Sequence, residues 1–376
     1  MSRVAESTPF PHNGQSVYRV RRSGVSSSRS SVVKSVIKYV AAAALLGLVI
    51  GLNWSGLKDL NFREMQFQNL VLATVLYIGI ILSQYVRWWM LVRALGLPFR
   101  LRDAFRLGMV GTFYNTFLPG SIGGDFVKAY FIAKDSPQRK AAAVATVVAD
   151  RMLGLFGLLL YGAAVGGGFW LAGDANINQP DKGFPLRVII VVCSVLAGIG
   201  AVAYLVIALL SARAKHRFAG RLTRVRRFGP VLSELWFTAV QYGERPRVVL
   251  QGVVLSAFAH TLMMLSFDCA AHLFPPRDPN LIATLPEHFV ILPIGYIFQA
   301  LVPLPGGLGF AELSFGGLYE LIGRGAAEGV VARLSLRLIE WGLGLVCYIA
   351  YLRMKAELPK ESAADSPDSS FPNPHS

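Results

Sequence analysis

The feature that most constrains this chain is a series of apolar runs long enough to cross a bilayer. A membrane-crossing α-helix needs roughly 20 predominantly apolar residues. Runs of this kind cover residues 36–54, 68–91, 141–171, 186–210, 248–274 and 329–352. A chain in lipid must satisfy its own backbone hydrogen bonds, and single runs of this length do so as helices. We therefore predict an all-α polytopic membrane protein with about six transmembrane helices.

Charge supports this fold class and gives an orientation. Only 16% of the residues are charged, against about 25% in soluble domains, which excludes an ordinary soluble enzyme. The loops at 93–140 and 212–247 carry eight and nine Lys/Arg, whereas those at 55–67, 173–185 and 275–287 carry two, one and one. Basic loops face the cytoplasm. We expect a multi-pass protein of the cell (inner) membrane with both termini cytoplasmic, and no nucleic-acid partner despite the net charge of +15.

The chain divides into one membrane domain and two tails. Residues 1–35 are rich in Ser, Arg and Pro and read as a disordered basic tail. Residues 36–355 form the membrane domain, and the polar residues 356–376 read as a second disordered tail. The sequence contains no nucleophile motif, phosphate-binding loop, dinucleotide fingerprint or metal-ligand spacing. We therefore expect no enzyme activity, no cofactor and no metal.

Two apolar segments, 103–134 and 288–323, are each interrupted by a Pro/Gly tip. Neither half of either segment is long enough to cross a membrane comfortably. Two short helices that meet at such a tip are typical of a re-entrant hairpin. The tips are alike, since LPGSIGGD occupies 118–125 and LPGGLGFAE occupies 304–312.

The likeness extends downstream and indicates an internal repeat. Arg151 lies 26 residues after Asp125, and Arg337 lies 25 after Glu312. Each unit is a span, a hairpin and a closing span that holds the arginine. The units cover about 68–172 and 248–352. A single span separates them, so the second is inverted relative to the first, a pattern typical of transporter-type binding sites near the midplane.

The residues around the tips suit an anionic headgroup. Glycines allow tight turns and close approach, and the helix that follows each tip presents free N–H groups that favour an anion. The alternative is a packing turn in which Asp125 caps the helix. The candidate headgroup-binding residues are Asn115, Pro119, Gly120, Gly123, Gly124, Asp125, Arg151, Pro305, Gly306, Gly307, Gly309, Glu312 and Arg337.

Arg151 and Arg337 are charges within apolar spans, where arginines normally face a cavity or a partner. A guanidinium fork suits a phosphate. The alternatives are a structural ion pair, with Asp150 for Arg151 and Glu340 for Arg337, or a side chain that reaches an interface.

Three further polar residues have two interpretations each. Asn115 either lines the first hairpin or has a local role, as a helix cap or in packing of its amide. His260 and Asp268 lie two turns apart on one face of a span, which fits a proton relay. A buried, hydrogen-bonded histidine is the commoner arrangement.

Asn115, the LPGSIGGD turn, Arg151 and the later LPGGLGFAE turn resemble the lysylphosphatidylglycerol synthase transmembrane region, also called the flippase-like domain family. The resemblance covers roughly 35–355. In full-length synthases this membrane unit moves an aminoacylated phospholipid between leaflets, and a separate soluble domain makes that lipid. Because this chain ends soon after the sixth run, we do not expect it to transfer lysine from tRNA.

The resemblance implies lipid handling, with an anionic lipid or lipid-linked molecule as the partner. The function it favours is flipping of an anionic phospholipid or a lipid-phosphate-linked headgroup between leaflets. The alternative is a non-transporting membrane subunit that presents a lipid or polyprenyl-phosphate substrate to a partner glycosyltransferase or synthase. A membrane enzyme is a third, weaker possibility. The lipid itself and the oligomeric state are left open.

Overall fold

A computed structural model describes residues 26–58, 60–118, 123–178, 183–224, 229–302 and 304–356. These parts of the chain are helical and contain no β-strand. The longer helices are α1 (Ser26–Leu52), α2 (Phe67–Ala94), α3 (Leu101–Phe117), α4 (Gly123–Asp135), α5 (Lys140–Leu171), α6 (Gly183–Leu209), α7 (Ala212–Leu222), α8 (Gly229–Gly243), α9 (Pro246–Ala271), α10 (Leu285–Leu301), α11 (Phe310–Leu321) and α12 (Ala326–Ala356).

Five segments of the described chain are long and apolar enough to cross a membrane, which confirms an all-α polytopic membrane protein. They are α2, α5, α6, α9 and a segment, Pro279–Ala300, that contains most of α10. The predicted sixth run lies in α12, which has 31 residues but carries buried charges and is not among the five. The apolar part of α1, Val36–Leu52, is shorter than the five.

The ends of the chain differ from the prediction in one respect. Helix α1 begins at Ser26, inside the segment expected to be a disordered tail, and continues without a break into the first apolar run. The rest of that segment, residues 1–25, lies outside the described residues, as do residues 357–376 of the second predicted tail.

Each interrupted segment forms two helices, one on either side of the predicted tip. The expectation that neither half could cross a membrane is wrong for α10, because it lies within Pro279–Ala300, which is long and apolar enough to do so. Unit one consists of α2, the hairpin α3–α4 and α5, and unit two consists of α9, the hairpin α10–α11 and α12. The units interlock, because α2 packs along α9 and α3 packs along α12. Entry of the two hairpins from opposite faces of the bilayer remains a prediction.

Two apolar cores hold these helices together. The larger core joins α5, α6, α9, α10, α11 and α12 around buried residues such as Phe267, Ile291 and Phe315. The smaller core joins α2, α4 and α5 around Trp88 and Ile132, at the ends of these helices that are predicted to face the cytoplasm. Large apolar side chains on the outer face of α6 and neighbouring helices are exposed, which suits contact with lipid tails rather than water.

Candidate functional site

In unit one, the carboxylate that follows the tip is bound by two cations. Asp125 is the third residue of α4 and is buried. It accepts a hydrogen bond from Nε of Arg151 on α5. Nζ of Lys128 lies 3.8 Å from the other carboxylate oxygen, and the same ammonium sits 5.4 Å from the centre of the Trp88 ring. The Arg151 side chain is 42% exposed, so this group carries an excess positive charge that is accessible from outside the helix bundle.

In unit two, the equivalent carboxylate is enclosed. Glu312 lies in the first turn of α11 and is fully buried. Nε of Arg337 donates to one of its oxygens at 2.5 Å, and the N–H of Gly309 donates to the other at 2.7 Å. Nη1 of Arg337 also donates to the carbonyl of Gly306 at 3.0 Å. The arginine therefore ties the glycine tip and the start of α11 to the closing helix α12.

The repeat seen in the sequence thus corresponds to a repeated contact. In both units the carboxylate after the tip pairs with the arginine of the closing helix. The ion pairs expected as alternatives are different in the structure. Asp150 pairs with Arg87 rather than with Arg151, the alternative that the sequence offered, and Glu340 pairs with Arg333 at 2.9 Å rather than with Arg337.

The Arg87–Asp150 pair joins three helices. Arg87 on α2 donates to Asp150 on α5 through Nε at 2.8 Å and Nη2 at 3.2 Å, and to Ser256 on α9 through Nη1 at 2.8 Å. All three side chains are buried. Burial within a complete set of hydrogen bonds indicates a structural pair.

The structure gives His260 a hydrogen bond to the backbone, the arrangement that the sequence favoured over a proton relay with Asp268. Nε2 of His260 lies 3.1 Å from the carbonyl of Gly154 on α5. Asp268 instead lies 2.8 Å from Nδ1 of His288 on α10, and Nε2 of that ring contacts the hydroxyl of Tyr319 on α11. Sequence reasoning missed His288, although a histidine just after the capping Glu287 at the start of an apolar helix was a signal that could have identified it.

At the first tip, the described glycines serve helix packing. Pro119 and Gly120 lie outside the described residues. A Cβ at Gly124 would lie 1.9 Å from the carbonyl oxygen of Gly111, and one at Gly123 would lie 2.7 Å from Cβ of Leu118. The N–H of Gly124 donates to the Asn115 side chain at 2.8 Å, so Asn115 caps α4. The space predicted for a headgroup next to Gly124 is occupied by α3.

The second tip needs glycine for its backbone conformation. Gly306, Gly307 and Gly309 have φ of 54°, 68° and 79°, values that favour glycine. Pro305 and Gly307 are buried. A Cβ at Gly306 would lie 3.1 Å from the carbonyl oxygen of Thr116, and one at Gly309 would lie 2.8 Å from the backbone nitrogen of Leu46. The second tip therefore packs against the end of α3 and the middle of α1.

Beside the first hairpin there is an open cavity of about 520 Å³. Its wall is formed by aromatic and aliphatic side chains of α3 and α4 together with Lys38 of α1. Phe126 and Tyr130 in this wall are 72% and 66% exposed. An apolar groove with a basic group at one side suits a lipid, which has an apolar chain and an anionic headgroup. Among the described residues, no group of three His, Cys, Asp or Glu side chains is placed to hold a metal ion.

Comparison with known proteins gives the same family that the motifs indicate. The family model described as the lysylphosphatidylglycerol synthase TM region matches residues 22–347. A UPF0104 membrane protein of Methanothermobacter thermautotrophicus is 34% identical over 122 residues, which are 32% of this chain and 35% of that relative. The matched part thus spans about a third of the length of this curated relative. No solved structure matches the chain.

Proposed function

The chain belongs to the lysylphosphatidylglycerol synthase transmembrane-region family, and on that premise we propose that it binds an anionic lipid and moves it between the leaflets of the cell membrane. The lipid class is an anionic phospholipid or a lipid-phosphate-linked headgroup. We propose no covalent change of the lipid, and hence no enzyme activity and no cofactor. The observation that carries this proposal is the carboxylate–arginine pair that recurs at both tips.

A paired arginine at each tip is suited to exchange one anion for another. Ionised side chains in a membrane domain are costly, so their retention favours a functional role. A guanidinium binds a carboxylate and a phosphate with the same planar fork. In the absence of lipid, Asp125 and Glu312 neutralise the arginines; a phosphate headgroup then replaces the carboxylate.

The different exposure of the two pairs supports alternating access. The side chain of Arg151 is 42% exposed, whereas that of Arg337 is 2% exposed. A transporter needs one site open while the other is closed. Under the positive-inside rule, unit one opens towards the cytoplasm and unit two towards the outside.

The decisive experiment is lipid movement in liposomes that contain the purified protein. Fluorescent phosphatidylglycerol in one leaflet should become accessible to an impermeant quencher in the other. Arg151→Gln and Arg337→Gln should each reduce this rate strongly, because each removes a permanent charge from one access state. Lys215→Gln, which breaks the ion pair with Glu244 between α7 and the end of α8, is the matched control and should retain the rate. Lipid binding without any lipid movement would instead support a subunit that presents lipid to a partner.

Orientation is tested separately with single cysteines in a cysteine-free background. Arg102 in the first turn of α3 and Arg277 after α9 are exposed, and they belong to segments predicted to face opposite sides. Arg102→Cys should react with an impermeant thiol reagent only from the cytoplasmic side, and Arg277→Cys only from the outside. Labelling of both from one side would contradict the inverted arrangement of the units.

A further inference from the structure

Helix α12 carries two buried arginines whose hydrogen-bonding capacity is only partly used. Arg333 and Arg337 are 0% and 2% exposed, and their spacing places them on one face of the helix. Among the described residues, Nε and Nη1 of Arg333 and Nη2 of Arg337 have no hydrogen-bond partner. Leaving buried donors of a charged group unpaired is costly, so this face of α12 is suited to an acceptor that is not part of the described protein.

Around these arginines, the buried atoms that lack a hydrogen-bond partner among the described residues are mostly donors. The Tyr296 hydroxyl on α10 is buried, lies within electrostatic range of Arg333, and also has no partner among the described residues. Gln299 donates to the carbonyl of Gly306, which leaves its amide oxygen as an unpartnered acceptor. Within this cluster, four donor atoms and one acceptor atom thus lack a partner among the described residues.

Each of the two arginines is paired with one glutamate, so the cluster has no net charge. What it lacks is acceptor atoms for the remaining N–H and O–H groups. Arg333 pairs with Glu340, which also accepts from the Tyr77 hydroxyl at 3.3 Å, and Arg337 pairs with Glu312. A tetrahedral oxyanion supplies several acceptor oxygens at one point and suits guanidinium donors. Its negative charge would repel the Glu340 carboxylate, which already accepts a hydrogen bond from Nη2 of Arg333 at 2.9 Å.

We propose that Arg333, Arg337 and Tyr296 form a binding site for one phosphate-type oxyanion in unit two. Arg333 is a binding residue that the sequence motifs did not identify. The proposal deepens the lipid-handling function and rests on it for the source of the phosphate, which is a lipid headgroup. The site is closed in this structure by the contacts of Arg337 and Gln299 with Gly306, so movement of the second tip gives the ligand access.

The test measures anion binding by the full-length chain with two probes. Protein in zwitterionic detergent is dialysed against radiolabelled inorganic phosphate, and protein in nanodiscs of phosphatidylglycerol or phosphatidylcholine is followed by its melting temperature. Phosphatidylglycerol should raise the melting temperature above that in phosphatidylcholine. Phosphate binding in detergent together with equal melting temperatures in the two lipids would identify a free anion as the ligand and overturn the headgroup assignment. Absence of both effects would overturn the site itself.

Two substitutions with opposite expected signs separate binding from folding. Arg333→Gln should weaken binding by about tenfold or more, the loss that removal of hydrogen bonds to a charged group gives. Glu340→Gln removes the repelling carboxylate and should tighten binding. A purely structural pair predicts that neither variant changes affinity and that both lower stability, a result that would contradict the proposal.

Further variants keep the test decisive if Arg333→Gln folds poorly. Arg333→Lys retains the charge and should bind with intermediate affinity. The double variant Arg333→Gln with Glu340→Gln removes both charges and should fold but bind weakly; wild-type affinity in this variant would overturn the proposal. Arg324→Gln, which breaks the Arg324–Glu287 pair in the same unit, is the matched control and should leave affinity unchanged.

Failure of the oxyanion site and failure of the proposed lipid transport give different results. If wild-type protein moves lipid but Arg333 variants bind and move it normally, the oxyanion site is wrong and the function stands. If binding depends on Arg333 while no lipid crosses the bilayer, the site stands and the transport function is wrong.

Discussion

Units one and two make the same contact in opposite environments. Each has a span, two short helices around a tip and a closing helix whose arginine binds the carboxylate after the tip. In unit one the arginine is 42% exposed, and Lys128 is a second cation for Asp125. In unit two the arginine is 2% exposed, and Glu312 also caps its own helix. A shared motif thus determines the pairing, while the surrounding helices determine whether the pair is open or closed.

This difference has an energetic consequence. Exposed ion pairs contribute roughly 0–1 kcal/mol, whereas removal of one partner from a buried pair costs about 3–5 kcal/mol because the other charge is left in a poor solvent. The loss of stability caused by the same substitution in the two units therefore measures the difference in burial between the two ion pairs.

The largest expected effect is on stability in unit two. Arg337→Gln leaves Glu312 buried without its cation and should lower the free energy of unfolding by about 3–5 kcal/mol. Arg151→Gln should lower it by about 1 kcal/mol or less, because Arg151 is partly exposed and Asp125 keeps Lys128 nearby. Denaturation of the purified variants in one detergent measures both values.

A double variant checks that the loss in unit two comes from the stranded charge. Arg337→Gln with Glu312→Gln removes both charges and should recover much of the lost stability. Similar losses for the single variants of the two units would show that the units do not differ in burial.

The second effect concerns the first tip, where glycine is required by packing rather than by the backbone. Gly124→Ala places a Cβ 1.9 Å from the carbonyl oxygen of Gly111, so α3 and α4 must separate. Overpacking of this kind costs about 1–3 kcal/mol, and the thermal unfolding of the variant should reflect it. Gly167→Ala on α5, where nothing lies within 4 Å, is the matched control and should be neutral or slightly stabilising. A Gly124→Ala variant as stable as the control would mean that the tip opens readily.

The sequence alone predicted the parts of this site that depend on local spacing. Apolar length predicted four of the five membrane-length segments, α2, α5, α6 and α9, but not the fifth, which contains most of α10. The Pro/Gly tips predicted the breaks between α3 and α4 and between α10 and α11. The nearly equal spacing of carboxylate and arginine in the two units suggested equivalent places for Arg151 and Arg337. Each of these signals lies within one unit, so no knowledge of the tertiary packing was needed.

The remaining contacts depend on how distant helices pack, and sequence proximity was misleading for them. Asp150 is adjacent to Arg151, yet its partner is Arg87, which is brought close by the contact of α2 with α5. Asp268 is bound by His288 from the next hairpin. Burial of the second pair likewise results from contacts of its tip with α1 and α3. None of these packing contacts leaves a periodic signal in a single sequence.

The smallest expected effect concerns the cavity beside unit one, which should admit a lipid that unit two excludes in this state. Tyr130→Trp places a fluorophore in the cavity wall, and Leu205→Trp places one on the exposed face of α6, each in a background without the native tryptophans. Brominated phosphatidylglycerol should quench the cavity tryptophan more strongly than brominated phosphatidylcholine does, because Lys38 in the cavity wall attracts the anionic headgroup. The two lipids should quench the tryptophan on α6 equally. Lys38→Gln should weaken the preference by about twofold to fivefold, the range of one exposed charge pair. High salt should weaken this preference similarly.

Equal quenching of both tryptophans by both lipids would mean that the cavity holds bulk lipid without selection. The exposure of the ion pair in unit one would then have no bearing on substrate entry.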